Sequence, residues 1–266
     1  MGLSGIFGKL PSAVNPGAAT VNMMSWRERF QHLLLPATCL LCGAKGVMGR
    51  DLCAGCAAVL PRNALACPGC AASIAPGQTG LCRQCQMQPH SFDRAFVPFH
   101  YRPPVDFLIC GLKFAGRLSY ARLLGDLFTA ALAESPISLP DCIIPVPLHP
   151  LRLRERGFNQ ALELARVVAR RRKIPLIANG LQRVRHTLRQ TELDAHRRQL
   201  NPLGAFVIGQ TLPGARVALI DDVMTTGSTA AECARILRVG GAVSVEVWAV
   251  GRAGGDSLSA SPKVNG

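Results

Sequence analysis

Long apolar runs, aromatic side chains and an export signal are scarce or lacking in this 266-residue chain. No apolar run approaches the roughly 20 residues that a membrane-spanning helix needs, so no span is expected. Residues 1–22 carry a single charge, Lys9, and lack the basic and apolar regions of a secretory signal. Aromatic residues make up 5% of the sequence and hydrophobic residues 48%, so a mainly aliphatic core is expected. These features predict a folded, cytoplasmic protein.

Acidic residues are also few, with 16 Asp and Glu against 30 Lys and Arg, which gives a formal net charge of +14. The excess is uneven, because residues 151–200 contain thirteen Lys or Arg and four Asp or Glu. A basic region of this kind suits nucleic acid, a polyphosphate ligand or solubility alone. Phe158 and Phe206 are the only aromatic residues in or near it, few for the stacking of single-stranded bases.

Eight of the eleven cysteines form four Cys-x-x-Cys pairs, separated by ten, ten and eleven residues. The pairs are Cys39/Cys42, Cys53/Cys56, Cys67/Cys70 and Cys82/Cys85. Because no export signal is evident, metal ligation is favoured over disulfides. Eight thiolates predict two structural zinc ions, each with four cysteine ligands. We favour sequential sites; interleaved pairs and an iron–sulfur cluster are the alternatives that spacing leaves open.

Beyond residue 90, segments with strand and helix patterns alternate along the chain. An apolar alternation over residues 92–101 predicts a strand, and helical periodicity follows from residue 105. Strands are then predicted at 142–146, 217–220 and 244–250, with helices at 159–172 and 229–239. Strands that are followed by crossover helices indicate an α/β fold with a parallel sheet covered on both faces.

Residues 217–229 carry the most informative motif. Four apolar residues, expected to form a buried strand, lead to two adjacent acids, Asp221 and Asp222, and then to a Thr/Gly/Ser turn that opens a helix. The free N–H groups and positive dipole end of a helix N-terminus favour a phosphate, and a neighbouring carboxylate can accept hydrogen bonds from ribose hydroxyls. The alternative is an ordinary strand–helix connection with an N-cap.

This segment resembles the PRPP-binding signature of type I phosphoribosyltransferases. The resemblance implies that Asp221 and Asp222, the predicted catalytic pair, face the ribose hydroxyls. The residues implied to bind the 5′-phosphate are Val223, Thr225, Thr226, Gly227, Ser228 and Thr229. The pyrophosphate-loop and flap candidates are Pro147, Leu148, His149, Arg156, Gln190, Arg198 and Lys113. Solvated surface charge is the alternative for the cations, and loop packing for His149.

The whole layout resembles the ComF/GntX family. The resemblance rests on the four cysteine pairs, Leu112-Lys113-Phe114, Arg-Gly-Phe-Asn-Gln at 156–160, the Gln/Arg/Asn block before the signature strand, and the signature itself. It implies a double zinc ribbon at 38–90 and a phosphoribosyltransferase-like domain at 91–252. Composition and apolar spacing alone predict a disordered extension at 1–22, an amphipathic helix at 23–37 and a disordered tail at 253–266.

The same resemblance implies a ligand and a biological context. The ligand is PRPP with Mg²⁺, or another phosphoribosyl group, and the reaction of an active enzyme is N-ribosyl transfer. The context is DNA uptake in natural transformation, or the use of external DNA. The alternative is a non-catalytic protein that handles single-stranded DNA, or docks onto proteins of the competence machinery, and uses the phosphoribosyl site as a binding handle.

Overall fold

The structure is a computed structural model that describes residues 37–47, 49–185 and 202–254. The described residues belong to one compact unit that begins at Ala37. The predicted extension at 1–22, the predicted helix at 23–37 apart from Ala37, and the predicted tail from residue 255 onward lie outside them.

A parallel sheet forms the centre of this unit. The strands of the described residues are β1 Arg94–Phe96, β2 Phe99–His100, β3 Cys142–Pro145, β4 Leu181–Arg183, β5 Phe206–Ile208, β6 Arg216–Met224 and β7 Ser244–Arg252. The strand order of the sheet is β1-β7-β6-β3, and β2 also pairs with β7. A separate antiparallel pair is formed by β4 and β5.

Helices cover both faces of the sheet, which confirms the predicted architecture. The helices of the described residues are α1 Ala54–Ala58, α2 Arg83–Met87, α3 Val105–Ala115, α4 Leu118–Ala133, α5 Pro150–Arg156, α6 Gln160–Arg172 and α7 Ser228–Val239. On one face Leu219 packs with Cys233 of α7; on the other Ile220 packs with residues of α3, α4 and α6. None of these helices combines the length and apolarity that a membrane span requires.

Two strand boundaries differ from the prediction because pairing partners decide them. The predicted strand at 217–220 extends to Met224, since Val223 and Met224 still pair with Gly251 and Arg252 of β7. The predicted strand at 92–101 is interrupted between β1 and β2 by Val97-Pro98, where the proline has no N–H to donate. Both pieces pair with β7.

The cysteine-rich region packs directly on the edge of the sheet. The N–H of Asn63 donates to the carbonyl of Pro98 at 2.8 Å, and that of His100 donates to Pro61 at 2.8 Å. The side-chain amide of Asn63 donates to the carbonyls of Ala71 and Val97, both at 3.0 Å. Residues of the cysteine-rich region also belong to the two core clusters that cover the faces of the sheet, so the ribbons and the sheet share their core.

The β4–β5 pair flanks the segment predicted to contain the flap. Leu181 pairs with Ile208 and Arg183 pairs with Phe206. The predicted flap residues Gln190 and Arg198 lie outside the described residues.

Candidate functional site

Eight cysteines form two groups in which the ligand atoms all lie within 4.8 Å of one another. The groups are Cys39, Cys42, Cys53 and Cys56, and Cys67, Cys70, Cys82 and Cys85. Tetrahedral zinc with bonds of about 2.3 Å separates its sulfurs by about 3.8 Å. The Sγ atoms of Cys42 and Cys53 are 3.7 Å apart. Those of Cys70 and Cys82 are also 3.7 Å apart. The residues therefore fit two zinc ions in sequential sites, and the interleaved arrangement is excluded.

Backbone N–H groups favour the thiolate form of one cysteine in each site, whereas the neighbouring thiol of Cys42 raises the pKa of Cys56 and burial raises that of Cys85. Burial opposes ionisation of Cys39, yet backbone N–H groups, that of Cys53 first among them, lower its pKa to about 6. Burial likewise opposes ionisation of Cys67, and the N–H groups led by that of Cys82 lower its pKa to about 7. Thiolates are the form that coordinates the metal. A closed four-thiolate site keeps no open position, so both centres are structural.

A cleft of about 500 Å³ lies at the carboxyl edge of the sheet, where parallel α/β proteins bind their ligands. Predicted site residues from separate segments meet there. Those lining the cleft are Lys113, Pro147, Leu148, Arg156, Asp221, Asp222, Val223, Thr225, Gly227 and Thr229. Thr226 and Ser228 lie in the same loop but bond to each other, with their hydroxyl oxygens 2.9 Å apart. His149 caps α5 by accepting the N–H of Leu151 at 3.3 Å.

The two acids in the cleft differ in environment. Asp222 is 3% exposed, and its Oδ2 lies 2.6 Å from Nζ of Lys113. Its Oδ1 accepts the N–H of Val223 at 2.9 Å. Burial raises the pKa of Asp221 well above its usual range, the charge of Asp222 raises it further, and Lys113 opposes the rise. Lys113, predicted to contact phosphate oxygens, is thus engaged by a carboxylate at the floor of the cleft.

The predicted phosphate-binding segment, residues 225–229 and called the phosphate loop below, runs from the end of β6 into the first turn of α7. Gly227 is the N-cap of α7 with φ 81°, a left-handed conformation that favours glycine. A Cβ at this position would lie 2.8 Å from Cε of Met224. Thr225, Gly227 and Thr229 face the cleft, so the loop presents hydroxyls and the N-terminal end of a 12-residue helix to a ligand.

The Arg-Gly-Phe-Asn-Gln segment builds the opposite wall. Nη1 of Arg156 donates to Oε1 of Gln160 at 2.6 Å, and the guanidinium lies 5.7 Å from the centroid of the Phe114 ring. Nδ2 of Asn159 donates to the carbonyl of Val146 at 3.0 Å, directly after β3. Oδ1 of Asn159 accepts the N–H of Ala161 at 3.0 Å. Through these bonds the motif fixes the position of the Arg156 guanidinium relative to the loop after β3.

Several residues that line the cleft were not predicted as site residues. They are Tyr101, Phe114, Arg152, Glu155, Phe158, Gln160 and Arg183. The four-residue spacing of Arg152 and Arg156 in α5 could have placed both on one helix face. Phe206, considered above as a stacking aromatic, is 2% exposed and lies 5.3 Å beneath the guanidinium of Arg183. It is therefore not available to a nucleic acid base.

Known proteins resemble both parts of the chain. Residues 30–86 match the double zinc ribbon domain family. Competence protein F of Haemophilus influenzae is 37% identical over 65% of this chain and 78% of its own length. DNA utilization protein YhgH of Salmonella typhi is 33% identical over 83% of this chain and 99% of its own length. Competence protein ComFC of Bacillus subtilis is 30% identical over 50% of this chain and 53% of its own length.

Among solved structures, the glutamine phosphoribosylpyrophosphate amidotransferase from B. subtilis overlaps 48% of this chain and 25% of its own, at 22% identity and a TM-score of 0.34. The parallel strand order β1-β7-β6-β3 and the helices on both faces of the sheet identify the fold. With its double zinc ribbon and its phosphoribosyltransferase-like α/β fold, the chain belongs to the family of competence protein F and DNA utilization protein YhgH, the ComF/GntX family.

Proposed function

We propose that the cleft binds a phosphoribosyl group, as PRPP with Mg²⁺, in a cytoplasmic protein that serves the uptake or use of external DNA. The observation that carries this proposal is the position of two acids, Asp221 and Asp222, beside the phosphate loop in one cleft at the sheet edge. The printed names of the relatives, competence protein F and DNA utilization protein, support the biological context.

Each wall of the cleft has chemistry that suits one part of this ligand. The phosphate loop and the N-terminal end of α7 suit the 5′-phosphate. Asp221 and Asp222 suit the ribose hydroxyls, because carboxyl oxygens can accept their hydrogen bonds. The loop at Pro147 and Leu148, with Arg156 beside it, suits the pyrophosphate.

The carboxylates are the oxygen ligands that Mg²⁺ prefers. Because Asp222 is already paired with Lys113, the ion would be held mainly by oxygens of the ligand, where it neutralises the leaving pyrophosphate. Transfer would break the bond from C1 of the ribose to the pyrophosphate oxygen and form a bond from C1 to a nitrogen nucleophile. The protein would contribute position and charge.

Calorimetry with Mg·PRPP tests the site. We expect Asp221→Asn and Asp222→Asn to weaken binding at least tenfold, because each replaces a carboxyl group of the cleft by an amide and preserves side-chain volume. Asp141→Asn is the matched control, since Asp141 forms an exposed ion pair with Arg216 at the start of β6. Equal affinity in the acid variants and the control, or a wild type that binds neither PRPP nor ribose 5-phosphate, would refute the proposal.

A second candidate function is the handling of single-stranded DNA without catalysis. The observation in its favour is Phe114, which is 69% exposed and lies beside the guanidinium of Arg156. An exposed ring with a neighbouring cation is a usual element of single-strand binding. Proteins of the competence machinery are the further partners that this function implies.

A salt titration separates this candidate from the first. Binding of single-stranded DNA should weaken steeply as the salt concentration rises. In the double variant Arg152→Gln/Arg156→Gln, the slope of log K against log salt concentration should become shallower by about one unit for each lost phosphate contact. A flat salt response in the wild type would rule out a phosphate-driven surface.

A further inference from the structure

The guanidinium of Arg252 connects the second zinc ribbon with the phosphate loop. Arg252 is the last residue of β7, and its Nε donates to the carbonyl oxygen of Cys70 at 3.1 Å. Its Nη1 shares its two hydrogens among three nearby carbonyl oxygens, those of Met224 at 3.2 Å, of Thr225 and of Ala253 at 2.5 Å. One side chain therefore holds a zinc-ligand residue and the first residue of the phosphate loop.

We propose that Arg252 is a positioning residue that makes the conformation of the phosphate loop depend on the second zinc site, the one formed by Cys67, Cys70, Cys82 and Cys85. For its effect on ligand binding, the inference rests on the proposed function of the cleft. Its structural part is independent of any ligand.

The chemistry of arginine suits this role. A guanidinium is planar and always charged, and its five N–H donors point in fixed directions. It can therefore fix several carbonyls at once, which a lysine ammonium on a flexible stem does less well. Here the acceptors are carbonyls at the end of β6 on one side and the carbonyl of Cys70 on the other. A zinc ion bound by the thiolate of Cys70 would in turn set the position of that residue.

Packing connects the same two regions. Cys67, Cys70 and Phe92 belong to one core cluster with Met224 and Ala230 of the β6–α7 connection. A Cβ at Gly227 would lie 3.7 Å from Cζ of Phe92. The second ribbon thus lies beneath the phosphate loop, and a change in its backbone is transmitted by both polar and apolar contacts.

The first zinc ribbon packs elsewhere and offers an internal control. Cys39, Leu52 and Leu60 lie in the cluster that contains α3 and α4. Asp51 of this ribbon forms an ion pair with Arg122 of α4. Loss of the first zinc ion should therefore disturb the face of the sheet covered by α3 and α4, and leave the phosphate loop as it is.

Hydrogen exchange of the amides in residues 225–229 tests the inference with the full chain and without a ligand. We expect Arg252→Lys and Cys82→Ser to accelerate this exchange at least tenfold, while amides of α4 keep their protection. Arg238→Lys and Cys42→Ser are the matched controls and should leave residues 225–229 unchanged. Arg238 also donates to two backbone carbonyls, those of Ser91 at 3.0 Å and Val243 at 3.2 Å. Val243 immediately precedes β7, so these bonds lie at the opposite end of that strand from Arg252.

Ribose 5-phosphate binding, measured by calorimetry on the same zinc-loaded variants, supplies the second readout. Arg252→Lys should bind at least tenfold more weakly than Arg238→Lys. Unchanged exchange in Arg252→Lys, equal effects of Cys82→Ser and Cys42→Ser, or a rise in exchange that extends equally to α4 would each overturn the inference. A wild type that binds no ribose 5-phosphate but shows the expected exchange pattern would refute the proposed function and support the coupling.

Discussion

At the scale of single residues, Asn159 shows how one side chain organises a wall of the cleft. Its Oδ1 caps α6, and its Nδ2 holds the carbonyl of Val146 at the start of the loop after β3. The cap satisfies an N–H that has no partner inside the helix. The Nδ2 group has a different role, because its bond to Val146 fixes the loop that contains Pro147 and Leu148.

Substitutions at Asn159 can separate these two roles. We expect Asn159→Ala to lower the free energy of unfolding by about 1–2 kcal/mol through loss of the cap. Asn159→Asp keeps the capping oxygen and loses the donor, so it should cost about 0.5–1.5 kcal/mol less stability than Asn159→Ala. Both should weaken ribose 5-phosphate binding. Urea denaturation and calorimetry measure the two effects, and identical stabilities of the variants would contradict the assignment.

The local pattern of adjacent residues predicted the acids and the loop as one site, whereas pairings between distant residues could not be predicted from it. The acids and the phosphate loop are nearly contiguous, so a single strand–helix turn places them together. The partner of Asp222 is Lys113, 109 positions earlier in the chain, and only the course of α3 along the sheet edge brings them together. The N-cap role of His149 depends on α5, a helix within a Pro-rich segment that sequence periodicity did not reveal.

At the scale of elements, a hydrogen bond from Gly204 to Glu232 connects α7 with the segment that precedes β5. Oε1 of Glu232 accepts the N–H of Gly204 at 2.9 Å, and the same carboxylate pairs with Arg235 at 2.9 Å. Glu232 is 3% exposed. The hydrogen bond from Arg235 lowers the pKa of Glu232, burial opposes this effect, and the N–H of Gly204 adds to the lowering.

This lowered pKa predicts a pH dependence of stability. A carboxyl whose pKa is lower in the folded than in the unfolded state stabilises the fold above the unfolded value of about 4.3, and this stabilisation is lost as pH falls below it. Glu232→Gln should therefore lower stability at pH 7 and flatten its decline below about pH 4.5. Glu134→Gln, at an exposed ion pair with Arg62, is the control. Denaturation curves at pH 3–7 test this, and parallel curves for wild type and Glu232→Gln would contradict it.

The sequence pattern predicted which segments of the sheet are strands, but it did not predict the residues at which each strand begins and ends. Apolar runs predicted the interior of β6, because residues 217–220 are buried on both faces. Its last four residues, 221–224, include two acids, and they remain in the strand because β7 supplies hydrogen-bond partners as far as Arg252. No local pattern in β6 contains that information.

At the scale of the whole molecule, the zinc ribbons and the sheet stabilise each other. Cysteines of the second ribbon are part of the same cluster as Val247 and Cys233, and Leu52 of the first ribbon lies with Trp248. Metal removal should therefore reach well beyond the ribbons, since the free energy of zinc binding is coupled to folding.

Metal analysis and chelation test this coupling. We expect two zinc ions per chain, and a chelator should lower the Tm of the whole unit by more than about 10 °C. When both ions are removed, the melting of α4 and β7, followed by hydrogen exchange, should shift together with that of the ribbons. A sheet that keeps its Tm after complete metal loss would contradict the shared core, and iron in place of zinc would contradict the metal assignment.

The place of β7 in the sheet has a consequence for synthesis on the ribosome. In the sheet, β7 separates β1 and β2 from β6 and β3, yet it follows all of them in the chain. A nascent polypeptide that has emerged as far as Met224 can pair β3 with β6, but β1 and β2 must wait for their only sheet neighbour among the described strands. Cys85 is the last of the cysteine ligands, so both zinc sites can bind metal at this stage of synthesis. The cleft, which includes residues as late as Ala253, can form only afterwards.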